Sequence, residues 1–272
     1  MTGGPPSDGD GRTALAAAAT TGEVLAHPEL HEGLLAPWEL RRLDAVRVPS
    51  RRDDVLAARL LLRLCVARYT GRSPAASAPA QFCAACRRPG HGRPYLPGRP
   101  GVGISLSHAD GLVAAAVGPG AVGVDVEPST RRPGPLSVLR RVLPETEARK
   151  AAAEPDPGAA LLRLWVRREA LLKAGEGDVR LLEWTDRHRS AVVAVAATAP
   201  ATTFSVGPGS AERADPDPVR AACGQAAEPH AVVSPSSHAG GSSAASHSSC
   251  SAVGAAMSRS STATLVAEWT RE

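Results

Sequence analysis

Residues 102–127 read VGISLSHADGLVAAAVGPGAVGVDVE, and this stretch decides the fold class. Val102 to Ser107 alternates as a strand, Leu112 to Val117 forms a second and Val122 to Val126 a third, with Gly and Pro turns between them. The spacing predicts a small β-meander. Upstream, from Pro37, WELRRLDAV and then DDVLAARLLLRLCVARY place Leu56, Leu60, Leu64 and Ala67 on one helical face. Downstream, Leu136 to Lys150 and Ala159 to Ala174 read as helices, and Val192 to Ala197 as a closing strand. Gly71 to Arg99 is dense in Pro and Gly, which predicts loop with one short strand. The class is α+β.

The 272 residues suffice for one large domain or two small ones, and 43% hydrophobic content is ordinary for a globular chain. Residues 1–12 are rich in Gly, Pro and Asp and are expected to be disordered. Residues 13–118 and 119–200 are expected as two units, and the residues themselves show a faint duplication between them: each runs helix, connection, then a small-residue strand, GLVAAAVG in the first and SAVVAVAAT in the second. Beyond residue 200 the chain turns to Ser, Ala, Gly, Pro and His without hydrophobic period, so 201–272 is expected to be a disordered tail.

Only Lys150 and Lys173 among the 31 basic residues are lysines. A formal charge of +4 and a pI near 9.0 suit an anionic ligand or an acidic protein partner. Nucleic acid is disfavoured, because aromatics for base stacking are not interleaved with the arginines. No leader-like segment and no apolar run of about 18 residues is present, so a cytoplasmic chain off the membrane is expected. The five cysteines are scattered and odd in number, which does not suggest a disulfide framework. CAACRRPGHG, with Cys83, Cys86 and His91, lacks the further ligand a zinc site requires, and a loop is expected there.

Asp125 and Glu127 sit two apart on an apolar strand and leave the same face, opposite Val124 and Val126. Adjacent carboxylates repel unless a cation neutralises them. Magnesium would do so and leave positions for phosphates; a strand end beside Arg131 and Arg132 would also accommodate the pair. On the helix, Trp165, Glu169 and Lys173 fall at i, i+4 and i+8, one stripe within the apolar surround of Leu161, Leu164, Ala170, Leu171 and Leu172. HGRPYLPGRPGVGISLSHADG offers backbone amides beside Arg93, with Ser107 and His108 at a strand end, as a phosphate cradle. Arg51 and Arg59, eight apart, could grip one anion from two turns of a helix.

In order, HGRP, SLSH, GVDVE and WVRREALLK resemble the 4'-phosphopantetheinyl transferase family, of the surfactin-synthetase-activating type, from about Trp38 to Ala197. The resemblance implies two similar α+β halves, a pseudo-dimer with the active site in the cleft between them. It implies transfer of phosphopantetheine from coenzyme A to a serine of an acyl or peptidyl carrier protein, in fatty acid, polyketide or peptide synthesis. By the same resemblance, Asp125, Glu127 and Glu169 hold magnesium on the diphosphate and Lys173 contacts a phosphate. Arg51, Arg59, His91, Gly92, Arg93, Pro94, Ser107 and His108 bind the nucleotide and its 3'-phosphate. Glu169 is favoured as the base that takes the serine proton, and is otherwise a ligand. The chain is expected to be a monomer, with an acidic carrier as partner. Arg168 stands where the family usually has Lys. The segment after Lys173 reads short, as if strands of the second half were missing, which keeps open a degenerate member that binds coenzyme A or a carrier without catalysis.

Overall fold

The structure, a computed structural model, describes residues 13–83, 87–133, 143–175 and 177–207. The expected N-terminal disorder, residues 136–142 of the expected helix, Cys86 and residues 208–272 of the expected tail lie outside the described residues.

The described residues form a mixed α+β fold. One sheet has the order β10 (Ala201–Thr203), β1 (Ala14–Thr20), β6 (Leu112–Pro119) and β5 (Val102–Ala109). A second has the order β7 (Val122–Pro128), β9 (Ala191–Ala197) and β8 (Arg180–Asp186). A third, small sheet joins β3 (Arg88–Pro89), β2 (Ala80–Cys83) and β4 (Arg93–Tyr95). The helices are α1 (Thr21–Leu25), α2 (Pro37–Asp44), α3 (Pro49–Thr70), α4 (Glu145–Ala152) and α5 (Pro157–Ala174).

Strand alternation builds the layers. In the first sheet Ala17, Ala19, Ile104, Val113, Ala115 and Val117 meet Leu56, Leu60, Leu61 and Leu64 of α3. The opposite face, Ala14, Ala16, Ala114 and Ala116, packs on Val122, Val124, Val126, Val193 and Val195 of the second sheet. Helix α5 covers the far side of the second sheet against β7 and β9. The order is therefore helix, sheet, sheet, helix, and alanines let the two sheets approach closely.

The predicted meander is corrected. Strand β6 has β5 on one edge and β1 on the other, so it has no free edge for β7. The chain turns at Gly120, with φ +69°, and β7 begins the next sheet beside β9. The strands that the sequence left unread after Lys173 are also present. Arg180–Asp186 pairs antiparallel with Ala191–Ala197, giving the second sheet a full hairpin. Both sheets then share one pattern: the opening strand, β1 or β7, pairs antiparallel with the closing strand, β6 or β9, which pairs with the strand before it. GLVAAAVG and SAVVAVAAT are those closing strands. The Gly71 to Arg99 region holds three short strands rather than one. Ala201–Thr203, at the start of the segment expected to be a tail, lies parallel to β1.

Candidate active site

The site begins at Gly123. A Cβ there would collide with the Ala170 carbonyl oxygen and the Ala174 amide of α5, so the glycine lets the helix lie directly on β7. Asp156 caps the start of α5 by accepting from the Ala159 amide at 3.0 Å, with Pro157 in the first turn. With β7 and α5 in contact, the Asp125 and Glu127 face of the strand meets the Glu169 and Lys173 stripe of the helix.

Lys173 Nζ donates to Asp125 Oδ1 at 2.7 Å, to Ser107 Oγ at 3.0 Å and to the Val124 carbonyl at 3.1 Å. Ser107 Oγ in turn donates to Asp125 Oδ1 at 2.7 Å. Two strands and one helix thus converge on a single carboxylate oxygen. Ser105, one pleat away, accepts from the Val124 amide at 3.1 Å and fixes β5 against β7.

The other carboxylate atoms are less well served. Asp125 Oδ2 and Glu169 Oε1 are both buried without a hydrogen-bond partner. Leaving such atoms unpaired is costly unless something else occupies the space between them in the working protein. Burial pushes the Glu169 carboxyl up to about 7; the charge of Asp125 adds to this, while Lys173 and Arg168 oppose it. Burial likewise raises Glu127 to about 7, assisted by Asp125 and opposed by Arg131, which donates to Glu127 Oε2 at 2.8 Å. Among the described residues no three His, Cys, Asp or Glu side chains are gathered tightly enough to hold an ion by themselves. Two buried, unpartnered carboxylate oxygens on neighbouring elements nevertheless suit a hard cation that takes its remaining ligands from phosphate and water.

Through Lys173 this cluster adjoins a cavity of about 550 Å³. Its ionisable lining consists of Arg42, Arg59, Arg93, His108 and Lys173, with no carboxylate among the lining residues. Val46, Val55, Ile104, Leu106 and Leu172 supply apolar wall. Such a cavity suits a ligand with several negative charges and an apolar portion.

The residues predicted from sequence are distributed as follows. Asp125, Lys173 and Ser107 are hydrogen-bonded to one another, and Glu127 and Glu169 lie close enough to feel the charges of Asp125 and Lys173. Arg59, Gly92, Arg93, Pro94 and His108 line the cavity. Arg93 Nη2 also donates to the Ala174 carbonyl at 2.7 Å, capping the C-terminus of α5 from the small sheet. Burial lowers the His108 imidazole below its usual value; Asp54 opposes this, and the cations Lys173, Arg51 and Arg59 add to it. Arg51 is exposed in the first turn of α3 and does not line the cavity, and His91 sits half-buried in the turn before β4, also outside the lining. Sequence reasoning missed Arg42, which donates to the Gly90 carbonyl at 2.7 Å, and Glu39 with Arg63, a buried pair behind the cavity wall. The signal for these was a glutamate and arginines recurring on two otherwise apolar helices.

Residues 121–214 match the family model of the 4'-phosphopantetheinyl transferase superfamily. The matched segment carries Asp125, Glu127, Glu169 and Lys173, and the match supports phosphopantetheine transfer as the general activity. A search of curated proteins gave no match. No helix among the described residues is long and apolar enough to cross a membrane.

Proposed function

We propose that this chain is a magnesium-dependent 4'-phosphopantetheinyl transferase of the surfactin-synthetase-activating type, moving phosphopantetheine from coenzyme A to a serine of an acyl or peptidyl carrier protein. The observation that carries the reading is the pair of buried, unpartnered oxygens, Asp125 Oδ2 and Glu169 Oε1, joined through Lys173 to a cavity lined by Arg42, Arg59, Arg93 and Lys173 and by no carboxylate. In this reading the two sheets with their helices are the two similar halves, and the cavity between β5, the small sheet and α5 is the coenzyme A cleft.

Asp125, Glu127 and Glu169 would hold the magnesium. When bound, the ion would supply a divalent charge against the diphosphate oxygens and orient them. Arg59, Arg93 and His108 hold the nucleotide end, and the apolar wall excludes water from it. The carrier serine attacks the β-phosphorus; a new phosphorus–oxygen bond forms at the serine and the bond to the bridging oxygen breaks. Lys173 offsets the charge that develops on that oxygen as the adenosine bisphosphate departs. Glu169 accepts the serine proton as the general base; burial raises its carboxyl to about 7 in the empty site, and a bound divalent ion would oppose that rise. An acidic surface around the acceptor serine complements the arginine-rich chain.

Asp125→Ala tests the assignment. Transfer should fall roughly 10²–10³-fold, the scale for losing one transition-state contact, with the circular dichroism spectrum retained. Unchanged turnover would contradict the metal assignment.

A further inference from the structure

Behind the cavity wall lies a carboxylate absent from the lining of the 550 Å³ cavity; with Trp38, Arg59 and Arg63 it borders only a small adjoining void of about 10 Å³. Glu39 is 1% exposed, on α2. Its Oε2 accepts from the Ala36 amide at 2.9 Å and from Arg63 Nη2, and its Oε1 accepts from Arg59 Nη1 at 2.9 Å and Arg63 Nη1 at 3.4 Å. Arg63 is fully buried and anchored further by the Leu34 carbonyl at 3.1 Å. The carboxylate is thus held from three sides and has little freedom to move.

Arg59 stands between this anchor and the cavity. Its guanidinium carbon lies 5.2 Å from the centroid of the Trp38 ring, its Nη1 is bound to Glu39, and it lines the cavity together with Arg42. Its Nε is buried without a hydrogen-bond partner. One glutamate shared by two arginines leaves the cluster one positive charge in excess, and of the two arginines it is Arg59 that lines the cavity. An arginine tethered at one nitrogen and packed against an aromatic ring has lost its rotamer freedom before any ligand arrives, so binding does not incur that cost again.

We infer that Glu39 is a positioning residue for coenzyme A, fixing Arg59 so that its guanidinium meets an anionic group of the ligand in the cavity. This rests on the proposed coenzyme A reading of the cavity. Arg63 serves the same carboxylate from the core side and does not touch the ligand.

The test compares Arg63→Met with the double variant Glu39→Gln and Arg63→Met, which removes the two most buried charges together and leaves Arg59 without its carboxylate tether. Coenzyme A affinity is measured by calorimetry on the full chain, with folded fraction checked by thermal melting. Arg63→Met should bind coenzyme A within about threefold of wild type despite a lower melting temperature. The double variant should bind at least about tenfold more weakly, with kcat at saturating coenzyme A within about threefold, and adding Arg59→Gln should weaken binding little further, since coupled residues are not additive. Equal coenzyme A affinity in Arg63→Met and the double variant overturns the inference while leaving the proposed function standing. Wild-type protein that binds no coenzyme A overturns the proposed function and the inference with it. If the double variant does not fold, Glu39→Asp serves: a shortened carboxylate that keeps the charge should raise KM for coenzyme A with kcat retained, and an unchanged KM overturns the inference.

Discussion

Glu169 carries two opposed demands at one carboxyl. Its Oε1 has no partner and burial holds its pKa near 7 against 4.5 for a free side chain, so the folded state keeps this proton more tightly than the unfolded state. The stabilising contribution of protonation is therefore complete below about 4.5 and is lost as pH rises through about 7. Without metal, Glu169→Gln should raise stability at pH 8 by about 1–3 kcal/mol, the size of a shift of this kind discounted for partial exposure. The gain should vanish near pH 4, and transfer should drop with it. Thermal melts at the two pH values check this, and an equal difference at both would show that the carboxyl is not held unpaired. A buried carboxyl that costs the fold stability is what a working site looks like.

At the scale of elements, the contact of β7 with α5 carries the site. Gly123→Val should lift the helix from the strand and lower stability by roughly 1–3 kcal/mol or more, as overpacking does. Gly22→Ala, where an added Cβ meets nothing within 4 Å, is the control and should be near neutral. Urea midpoints followed by tryptophan fluorescence compare the two, and equal midpoints would contradict the packing. Both elements of this contact were legible in the sequence: the alternation of Val122 to Val126 gave the strand and its carboxylate face, and the i, i+4, i+8 stripe gave the helix. Strand β1 was not, since ALAAAAT favours helix by intrinsic preference and becomes a strand only in the slot between β10 and β6. The pairing of β7 away from β6 was hidden for a related reason, because it depends on β1 already occupying that edge. The Arg51 and Arg59 pair divides because eight residues at about 100° each leave the two side chains about 80° apart around the helix, although both charges act on His108. Arg59 faces the cavity while Arg51 lies in an exposed first turn.

Across the whole molecule, a few polar ties hold the layers in register around the cavity. Arg93 joins the small sheet to the end of α5, and Asp54 of α3 accepts from the Gly111 amide in the β5 to β6 turn at 3.3 Å. Arg189, in the β8 to β9 turn, is bidentate to Glu23 of α1 at 2.7 Å for both contacts. In the proposed function the two carboxyls near 7 would couple this assembly to metal and protons together. Magnesium with coenzyme A should raise the melting temperature more at pH 8 than at pH 6, because protons compete for Glu127 and Glu169 at the lower value. A shift independent of pH would place the ion elsewhere. The most direct measurement is mass spectrometry of apo carrier proteins incubated with this chain, coenzyme A and magnesium. The account predicts a gain of about 340 Da on the acceptor serine, the mass of the phosphopantetheine arm, abolished by chelation of the metal. Binding of coenzyme A or carrier with no gain of mass across several carriers would contradict it and leave a chain that binds without catalysis.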